Sequence, residues 1–330
     1  MRCYNIDGCA ARDAEDARRV AEKIGIPFYT FDFEEEYKRR VVDYMIEGYR
    51  NGITPNPDVA CNREIKFGLF LKRALALGAD YVATGHYVKL GRIASSKAGK
   101  PKMFSLSAAA DKNKDQSYFL WTLTQDDLAH CLFPLGEYEK PDVRAIAKRA
   151  GLSTAEKKDS QGVCFLGNID VREFLKSYIK PEPGPIVTVS GERIGTHEGT
   201  AFYTIGQRHL GANLTVPESG KGEEQQPYYV AAKDAATNTL TVARGAENPA
   251  LAVSSVHLSG VSFISGRETE DKEEVMARVR YRQPVSKAVL VRSKNGWTLE
   301  FVKPQRFVAP GQSAVFYAAD GTMLGGGVIV

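Results

Sequence analysis

The stretch that most constrains the fold of this chain is residues 54–67, which read Thr-Pro-Asn-Pro-Asp-Val-Ala-Cys-Asn-Arg-Glu-Ile-Lys-Phe. Proline fixes its own φ angle, and Pro57 pushes the preceding Asn56 towards an extended conformation. We therefore expect residues 55–58 to form a stiff loop. Apolar residues at helical spacing follow from Ile65 onward, and they predict an amphipathic helix after the loop.

Cys61 is predicted to lie at or near the start of that helix, with Arg63 and Lys66 close to it. A helix N-terminus and nearby cations both favour the thiolate over the thiol, so this position suits a reactive cysteine. The alternative is a small buried hydrophobic residue, which is how many cysteines outside disulfides behave. The local sequence leaves both interpretations open.

Composition indicates a globular protein of two or three domains. The chain has 330 residues, of which 43% are hydrophobic and 25% are charged. It contains no run long enough for a membrane span, no apolar core of a signal peptide, and too few cysteines for a secreted disulfide framework. We therefore expect a cytoplasmic protein without membrane contact. The net charge of +4 is compatible with a nucleic-acid partner.

The first half of the chain alternates helices with short apolar strands, which predicts an α/β domain with a parallel sheet. Helices are predicted over residues 12–24, 35–49, 125–130 and 140–150, and strands over residues 28–33 and 79–84. The second strand runs directly into Gly85 and His86. Ligands of open α/β sheets bind beyond the carboxyl ends of strands, so these two residues are candidates for a nucleotide site. A packing or surface histidine is the alternative for His86.

A second candidate segment, residues 112–121, combines charged, amide and aromatic side chains. Lys114 and Gln116 could contact phosphate or sugar, whereas Leu120 and Trp121 are expected in the core. A solvated loop that leads into a helix is the alternative.

The remaining cysteines differ in their surroundings. Cys164 follows a polar, glycine-containing segment, so we expect it to be more accessible than a cysteine in an apolar helix stripe. Cys131 lies between apolar residues and is expected to serve packing. Cys3 and Cys9 lie at the start of the chain with a spacing that matches no common zinc pattern, and no metal ligands are predicted in the chain.

The second half of the chain changes character. Short alternating strands separated by polar turns begin at about residue 184, after a proline-rich linker at residues 181–185, and one of them is predicted over residues 201–206. Regularly spaced strands with glycine turns then predict a small β-barrel at the end of the chain. We expect domains over residues 1–165, 166–248 and 249–330, the last being the barrel.

Seven motifs together closely resemble the bacterial tRNA-specific 2-thiouridylases. Residues 54–67 carry the first, and Ala-Thr-Gly-His-Tyr, Lys-Asp-Gln-Ser-Tyr-Phe-Leu and Asp-Ser-Gln-Gly-Val-Cys-Phe follow it in the first half. Thr-Ile-Gly-Gln-Arg, Arg-Tyr-Arg-Gln and Pro-Gly-Gln-Ser-Ala-Val-Phe-Tyr follow in the second half. The motifs occur in the family's order across nearly the whole chain. The resemblance implies an adenine-nucleotide alpha-hydrolase-like parallel sheet domain, a small central domain and a C-terminal β-barrel that binds tRNA.

The resemblance also implies a reaction. ATP would adenylate the 2-oxygen of the wobble uridine in tRNAs for Glu, Gln and Lys, a cysteine persulfide would deliver sulfur to C2, and AMP would leave. By motif, Cys164 matches the persulfide carrier, Cys61 the cysteine that resolves it through a transient disulfide, and Asp58 the acid/base residue. The sulfur would come from a sulfur-relay protein or a cysteine desulfurase, and Mg²⁺ is expected with ATP.

Binding positions carry over in the same way. Gly85 and Met1 match the ATP site, and Asn56, Pro57 and Asp58 match the loop that contacts the target base, for which a stiff loop is suitable. The residues that match tRNA contacts are His86, Lys114, Asp115, Gln116, Arg280, Tyr281 and Gln312.

One feature of the family is missing from this sequence. Its members begin with a strand and a Ser-Gly-Gly-Val-Asp-Ser-Ser loop that cradles the ATP phosphates, and no such run occurs here. We therefore expect an N-terminally truncated sheet domain in which Met1 is an internal methionine, with weak ATP binding and unpaired apolar strand edges. A catalytically inactive tRNA-binding protein is the main alternative. A dithiol redox protein using Cys61 and Cys164 is another, although the chain has no Cys-x-x-Cys motif.

Overall fold

The structure is a computed structural model that describes residues 1–6, 8–93, 103–157, 165–167, 169–211, 213–215, 226–294 and 296–330. Cys164 lies outside the described residues. The description below refers to the described ranges.

Helices dominate the first part of the chain, as predicted. Their bounds are Cys9–Ile24; Glu34–Tyr37, continuing through π-helical Lys38–Val42 into Asp43–Arg50; Pro57–Ala60, continuing through π-helical Cys61–Phe70 into Leu71–Ala76; Gln125–Ala129; Lys140–Arg149; and Val171–Lys176. Local sequence signals explain why several of these helices begin or end where they do. Gly25 ends the first helix at φ 79°, which favours glycine, and Thr124 starts the fourth with a capping box.

The parallel sheet pairs Val82–Ala83 with Cys131–Leu132, and this confirms the parallel α/β prediction. An antiparallel hairpin of Val88–Ile93 and Met103–Ala108 follows the first of these strands. Because the sheet strand ends at Ala83, Gly85 and His86 do lie just beyond its carboxyl end.

The predicted strand over residues 28–33 is wrong. Of these residues only Asp32 pairs, in a single parallel bridge with Arg2. The Arg2 N–H donates to the Phe31 carbonyl at 2.7 Å, and the Phe33 N–H donates to the Arg2 carbonyl at 2.9 Å. A strand needs a partner along its length, and in the described part of the chain this segment meets one residue only.

The central part contains a mostly antiparallel sheet. Its strands are Asn213–Leu214, Arg193–His197, Gly184–Thr188, Thr239–Arg244 and Tyr228–Asp234, in that spatial order, with a parallel pairing between the third and fourth. The predicted strand at residues 201–206 is wrong, because Thr200–Phe202 forms a 3₁₀ helix.

The last part closes into the predicted barrel. Six described strands form it: Ala252–Phe263, Lys272–Arg278, Ser286–Ser293, Gly296–Arg306, Ser313–Tyr317 and Met323–Ile329. Closure leaves no free strand edge. Gly326 in the last strand faces the α/β part, where an added Cβ would lie 2.6 Å from Trp121 Cγ.

Buried side chains join the three parts. One cluster includes Cys61 and Phe165 together with Tyr203 and Ile186 of the central part. A second combines Trp121 and its neighbours with barrel residues, and a third fills the barrel. Within the described ranges, no helix is both long enough and apolar enough to cross a bilayer.

Candidate functional site

The helical run over residues 57–76, called here the cysteine helix, carries Asp58, Cys61 and Lys66 of the candidate site. Asn56 is extended, at φ −112° and ψ 91°, and its Oδ1 accepts a hydrogen bond from the Val59 N–H at 3.2 Å. Pro57 is the first helical residue, a position where its missing N–H costs nothing. The loop is therefore shorter than predicted: it ends at Asn56, and Asp58 lies in the first helical turn.

Residues 54–56, called here the proline loop, are held on several sides. Thr54 and Asn56 are 6% and 7% exposed, and Pro55 packs against Gly48, where a Cβ would lie 2.7 Å from its Cγ. The predicted tRNA contact Gln312 reaches the loop from the barrel and donates to two of its carbonyls. The loop is therefore stiff, as the prolines predict.

Cys61 lies in the second turn of the cysteine helix and is 3% exposed. This burial matches the packing interpretation of the residue as it stands. Phe165, the chain neighbour of Cys164, is buried in the same cluster. Within this large cluster the Phe165 ring packs against Tyr37 and Phe174. Cys131 is buried too, and burial raises the pKa of its thiol to about 12, which keeps it unreactive as predicted.

Asp58 and Lys66 form the charged part of the site. Burial raises the pKa of the Asp58 carboxyl above its usual value, while the positive charge of Lys66 opposes this shift. Lys66 acts in the same way on His86, whose pKa it lowers. The charge of Lys66 therefore acts on both the acid of the first helical turn and the histidine beyond the sheet strand. The sequence predicts Lys66 only as a cation near Cys61, and its position eight residues after Asp58 in one helix is the signal for this further role.

A cleft of about 310 Å³ opens at the end of the sheet strand. It brings together four of the predicted residues, Met1, Gly85, His86 and Gln116, and its other lining residues are Lys66, Phe70 and Thr84. A Cβ at Gly85 would meet only Leu135, at an ordinary 3.8 Å. The protein itself thus has no need for glycine at this position, and a ligand could approach the main chain there.

His86 is both a cleft residue and a packed residue. The residue is 7% exposed, and its ring centroid lies 5.7 Å from that of Phe67. Its Nδ1 shares a 2.8 Å hydrogen bond with Thr84 Oγ1. Burial lowers the pKa of His86 to about 3, so the imidazole is neutral at physiological pH. A contact with tRNA would have to be a neutral hydrogen bond.

Asp115 does not face solvent as a tRNA contact would. It is 4% exposed and pairs with Arg278 of the barrel, whose Nη2 lies 2.5 Å from Asp115 Oδ2. Its Oδ1 accepts from the main-chain N–H groups of Ala109 and Ser117, and Arg278 also donates to Tyr317 Oη at 2.8 Å. The carboxylate is occupied on all sides, so its role here is to join the α/β part to the barrel. No sequence signal could identify a pair 163 residues apart.

A second cleft, of about 580 Å³, lies between residues 112–115 and the barrel. Lys112, Lys114 and Arg282 line it, with Gln283 and apolar barrel residues. Lys114 is thus near the barrel, whereas Gln116, two residues on, lines the first cleft.

Arg280 and Tyr281 follow the barrel strand Lys272–Arg278. The Tyr281 ring packs on Phe119 with 4.5 Å between centroids, and Asn62 of the cysteine helix donates to the Phe119 carbonyl at 3.1 Å. Burial lowers the pKa of the Arg280 guanidinium, although it stays charged at neutral pH. In the part of the chain that the structure describes, no group of three His, Cys, Asp or Glu side chains is arranged to hold a metal ion.

Comparison with known proteins covers the whole chain. Three family models match in succession: a tRNA methyl transferase HUP domain over residues 2–168, a tRNA methyl transferase PRC-barrel domain over residues 172–244, and an aminomethyltransferase beta-barrel domain over residues 253–329. The chain is similar to the tRNA-specific 2-thiouridylase MnmA of Streptococcus sanguinis, with 45% identity over 97% of this chain and 83% of the relative. The corresponding protein of Halalkalibacterium halodurans is 44% identical over 97% and 82%, and that of Pseudomonas entomophila 45% over 97% and 83%.

Proposed function

Because this chain belongs to the tRNA-specific 2-thiouridylase family, we propose that it replaces the 2-oxygen of the wobble uridine by sulfur in tRNAs for Glu, Gln and Lys. The similarity to relatives of that name along 97% of the chain is the observation that carries the proposal. Two of the matching family models are described by methyl transfer, but the relatives' names apply to whole proteins that contain all three parts.

Sulfur transfer is assigned to Cys164 and Cys61. A persulfide on Cys164 attacks C2 with its outer sulfur, and the activated oxygen leaves. The Cys61 thiolate then attacks Cys164 Sγ, a Cys61–Cys164 disulfide forms, and the electron pair of the broken S–S bond goes to the sulfur on C2. A cellular thiol reductant restores the two thiols, and a cysteine desulfurase or sulfur-relay protein reloads Cys164. The motif match of both cysteines to the family supports this assignment.

Asp58 is assigned the proton transfers. Burial raises its pKa towards neutrality, which is the direction that general acid/base catalysis at neutral pH requires. The neighbouring Lys66 charge limits this rise and keeps the carboxylate accessible as a base. Asn56 and Pro57 immediately precede it, and we assign all three residues to contact with the target base, for which the stiff proline loop is suitable.

The nucleotide is assigned to the cleft at the strand end. ATP supplies the activation of the 2-oxygen, which is otherwise a poor leaving group. Gly85 permits close approach of the main chain, Lys66 offers the charge for a phosphate, and Met1 and Phe70 offer apolar walls. Mg²⁺ would arrive with the phosphates, since this ion commonly keeps waters and few protein ligands.

tRNA is assigned to the barrel and to residues 112–116. Lys112, Lys114 and Arg282 line one cleft between these elements and supply positive charge for phosphates. Tyr281 beside Phe119 adds an aromatic surface for a base. Asn62 of the cysteine helix donates to the Phe119 carbonyl and so connects this aromatic surface to the helix.

The experiment for this proposal is a thiolation assay with matched cysteine variants. Purified chain, ATP, a cysteine desulfurase with cysteine as the sulfur source, and a wobble-uridine tRNA are incubated, and 2-thiouridine is measured by mass spectrometry of the digested tRNA. We expect Cys164→Ala to abolish product and Cys61→Ala to block it after the first attack, with tRNA binding retained. The control Cys131→Ala, at a buried cysteine with a raised pKa, should keep activity. Thiolation by Cys164→Ala would contradict the proposal.

A further inference from the structure

The proline loop cannot supply hydrogen-bond donors for all of its own main-chain carbonyls. Pro55 and Pro57 have no N–H, so only Thr54 and Asn56 can donate within this segment. The Asn56 carbonyl is used by the cysteine helix, where it accepts from the Ala60 N–H at 3.2 Å. The carbonyls of Thr54 and Pro55 remain, and buried carbonyls need donors from elsewhere in the molecule.

Gln312 of the barrel supplies these donors. Its Nε2 lies 2.9 Å from the Thr54 carbonyl oxygen and 3.1 Å from the Pro55 carbonyl oxygen. An amide nitrogen carries two hydrogens, so it can make both bonds at once. In return the Thr54 N–H donates to the Pro310 carbonyl at 2.8 Å. Three hydrogen bonds thus link the loop to the barrel turn at residues 309–312.

The turn that carries Gln312 is itself fixed. The Gly311 N–H donates to the Ile329 carbonyl at 2.8 Å, and the Ile329 N–H donates to the Gln312 carbonyl at 2.8 Å. Gly311 has φ 90°, and a Cβ there would lie 2.8 Å from the Thr54 carbonyl oxygen. The loop is therefore seated directly on the end of the last barrel strand.

We infer that Gln312 is a positioning residue for sulfur transfer, which acts through the carbonyls of Thr54 and Pro55. The inference rests on the proposed function, because the loop leads directly to Asn56 and Asp58. Both Nε2 hydrogens are committed to the loop. Gln312 therefore has no donor left for a phosphate oxygen, and its Oε1 can only accept, from a ribose hydroxyl or a base N–H group.

The kinetic test compares Gln312→Met with Arg280→Ala at varied tRNA concentration. Methionine has a similar length but no donor, so the loop loses both bonds while its packing is kept. We expect kcat to fall about 10- to 100-fold, since small misplacements of catalytic groups have effects of this size, with KM for tRNA changed less than about twofold. Arg280→Ala should raise KM instead. A raised KM with unchanged kcat in Gln312→Met would overturn the inference.

A second test does not depend on thiolation. Hydrogen exchange of the tRNA-free chain is compared between wild type, Gln312→Met and Gln305→Met, a matched change at a buried barrel glutamine that bonds Gln283. We expect faster exchange at residues 54–60 in Gln312→Met alone, with the strand Met323–Ile329 unchanged. Unchanged exchange at residues 54–60 would overturn the inference whether or not the chain thiolates tRNA.

Discussion

The charge of Lys66 acts on both Asp58 and His86, and burial moves the pKa values of these two residues in opposite directions. It raises the pKa of the Asp58 carboxyl and lowers that of the His86 imidazole to about 3. Both shifts favour the neutral form, which is what removal from water does to any ionisable group. Lys66 is therefore the main positive charge acting on these two residues.

His86 makes stability depend on pH. Its pKa is about 3 in the folded protein and 6.5 in the unfolded chain, so between these values the unfolded chain binds more protons. Stability is therefore greatest above pH 6.5 and falls on acidification, by up to about 1.4 kcal/mol per pH unit. We expect His86→Gln to reduce this slope in urea unfolding between pH 6.5 and pH 5. The exposed His257, changed to Gln, serves as control, and an unchanged slope in His86→Gln would refute the argument.

Asp58 makes activity depend on pH. A carboxylate acting as base must be ionised, and burial places its pKa above the usual 3.8. Thiolation should therefore rise with pH through a pKa above that value. We expect Asp58→Asn to lower kcat about 10²- to 10⁴-fold, the usual contribution of general acid/base catalysis, and to remove this limb of the pH profile. A variant that keeps the limb would exclude Asp58 as the titrating base.

At the scale of elements, the cysteine helix departs from regular α geometry. Its middle, Cys61–Phe70, is π-helical, with an N–H to carbonyl spacing of five residues. Apolar spacing predicts the helix and its position but cannot distinguish this wider turn. Gly68 is a local signal of the π-helical turn. A Cβ at this position would lie 2.6 Å from the Arg63 carbonyl oxygen, five residues earlier.

This geometry reverses the usual effect of a glycine substitution. Gly to Ala within a helix normally stabilises by about 1 kcal/mol. In Gly68→Ala the new methyl meets a main-chain oxygen that cannot move freely, so we expect destabilisation of about 1–3 kcal/mol, as for other overpacked sites. Urea unfolding measures the difference, with Lys72→Ala in the following exposed turn as control. A stabilised Gly68→Ala would show that the turn relaxes to α geometry.

For the whole molecule, the barrel is attached to the α/β part by a buried ion pair. Asp115 and Arg278 are 4% and 8% exposed, and Tyr317 and Ser117 complete their hydrogen bonds. Removing one partner of a buried pair leaves the other charge without compensation. Asp115→Leu should therefore cost about 3–5 kcal/mol of unfolding free energy.

The double variant measures the interaction energy between Asp115 and Arg278. Arg278→Met alone should be similarly costly, whereas Asp115→Leu combined with Arg278→Met should cost much less than the sum, because no buried charge remains. Urea unfolding of the four proteins gives the coupling. Strict additivity would mean that the two charges do not interact.

The sequence predicts features that neighbouring residues determine, and it does not predict contacts between residues that are far apart in the chain. Gly25 and Thr124 are local signals, and the helix ends that they mark occur where expected. The helix after the proline loop begins at Pro57, inside the loop predicted over residues 55–58. Asp115 and Gln312 resemble tRNA contacts by motif, yet the structure shows their side chains bonded to other parts of the protein. Such pairings depend on how the barrel packs on the α/β part, and no spacing in the sequence encodes that packing.

The measurement that most directly tests the central claim is a single turnover with labelled sulfur. The chain is loaded with a ³⁴S persulfide, freed of excess sulfide, and mixed with ATP and a wobble-uridine tRNA. We predict ³⁴S in 2-thiouridine at the wobble position, together with one Cys61–Cys164 disulfide for each product formed. Unlabelled 2-thiouridine, or bound tRNA that acquires no sulfur while the persulfide remains on the chain, would contradict sulfur transfer through Cys164.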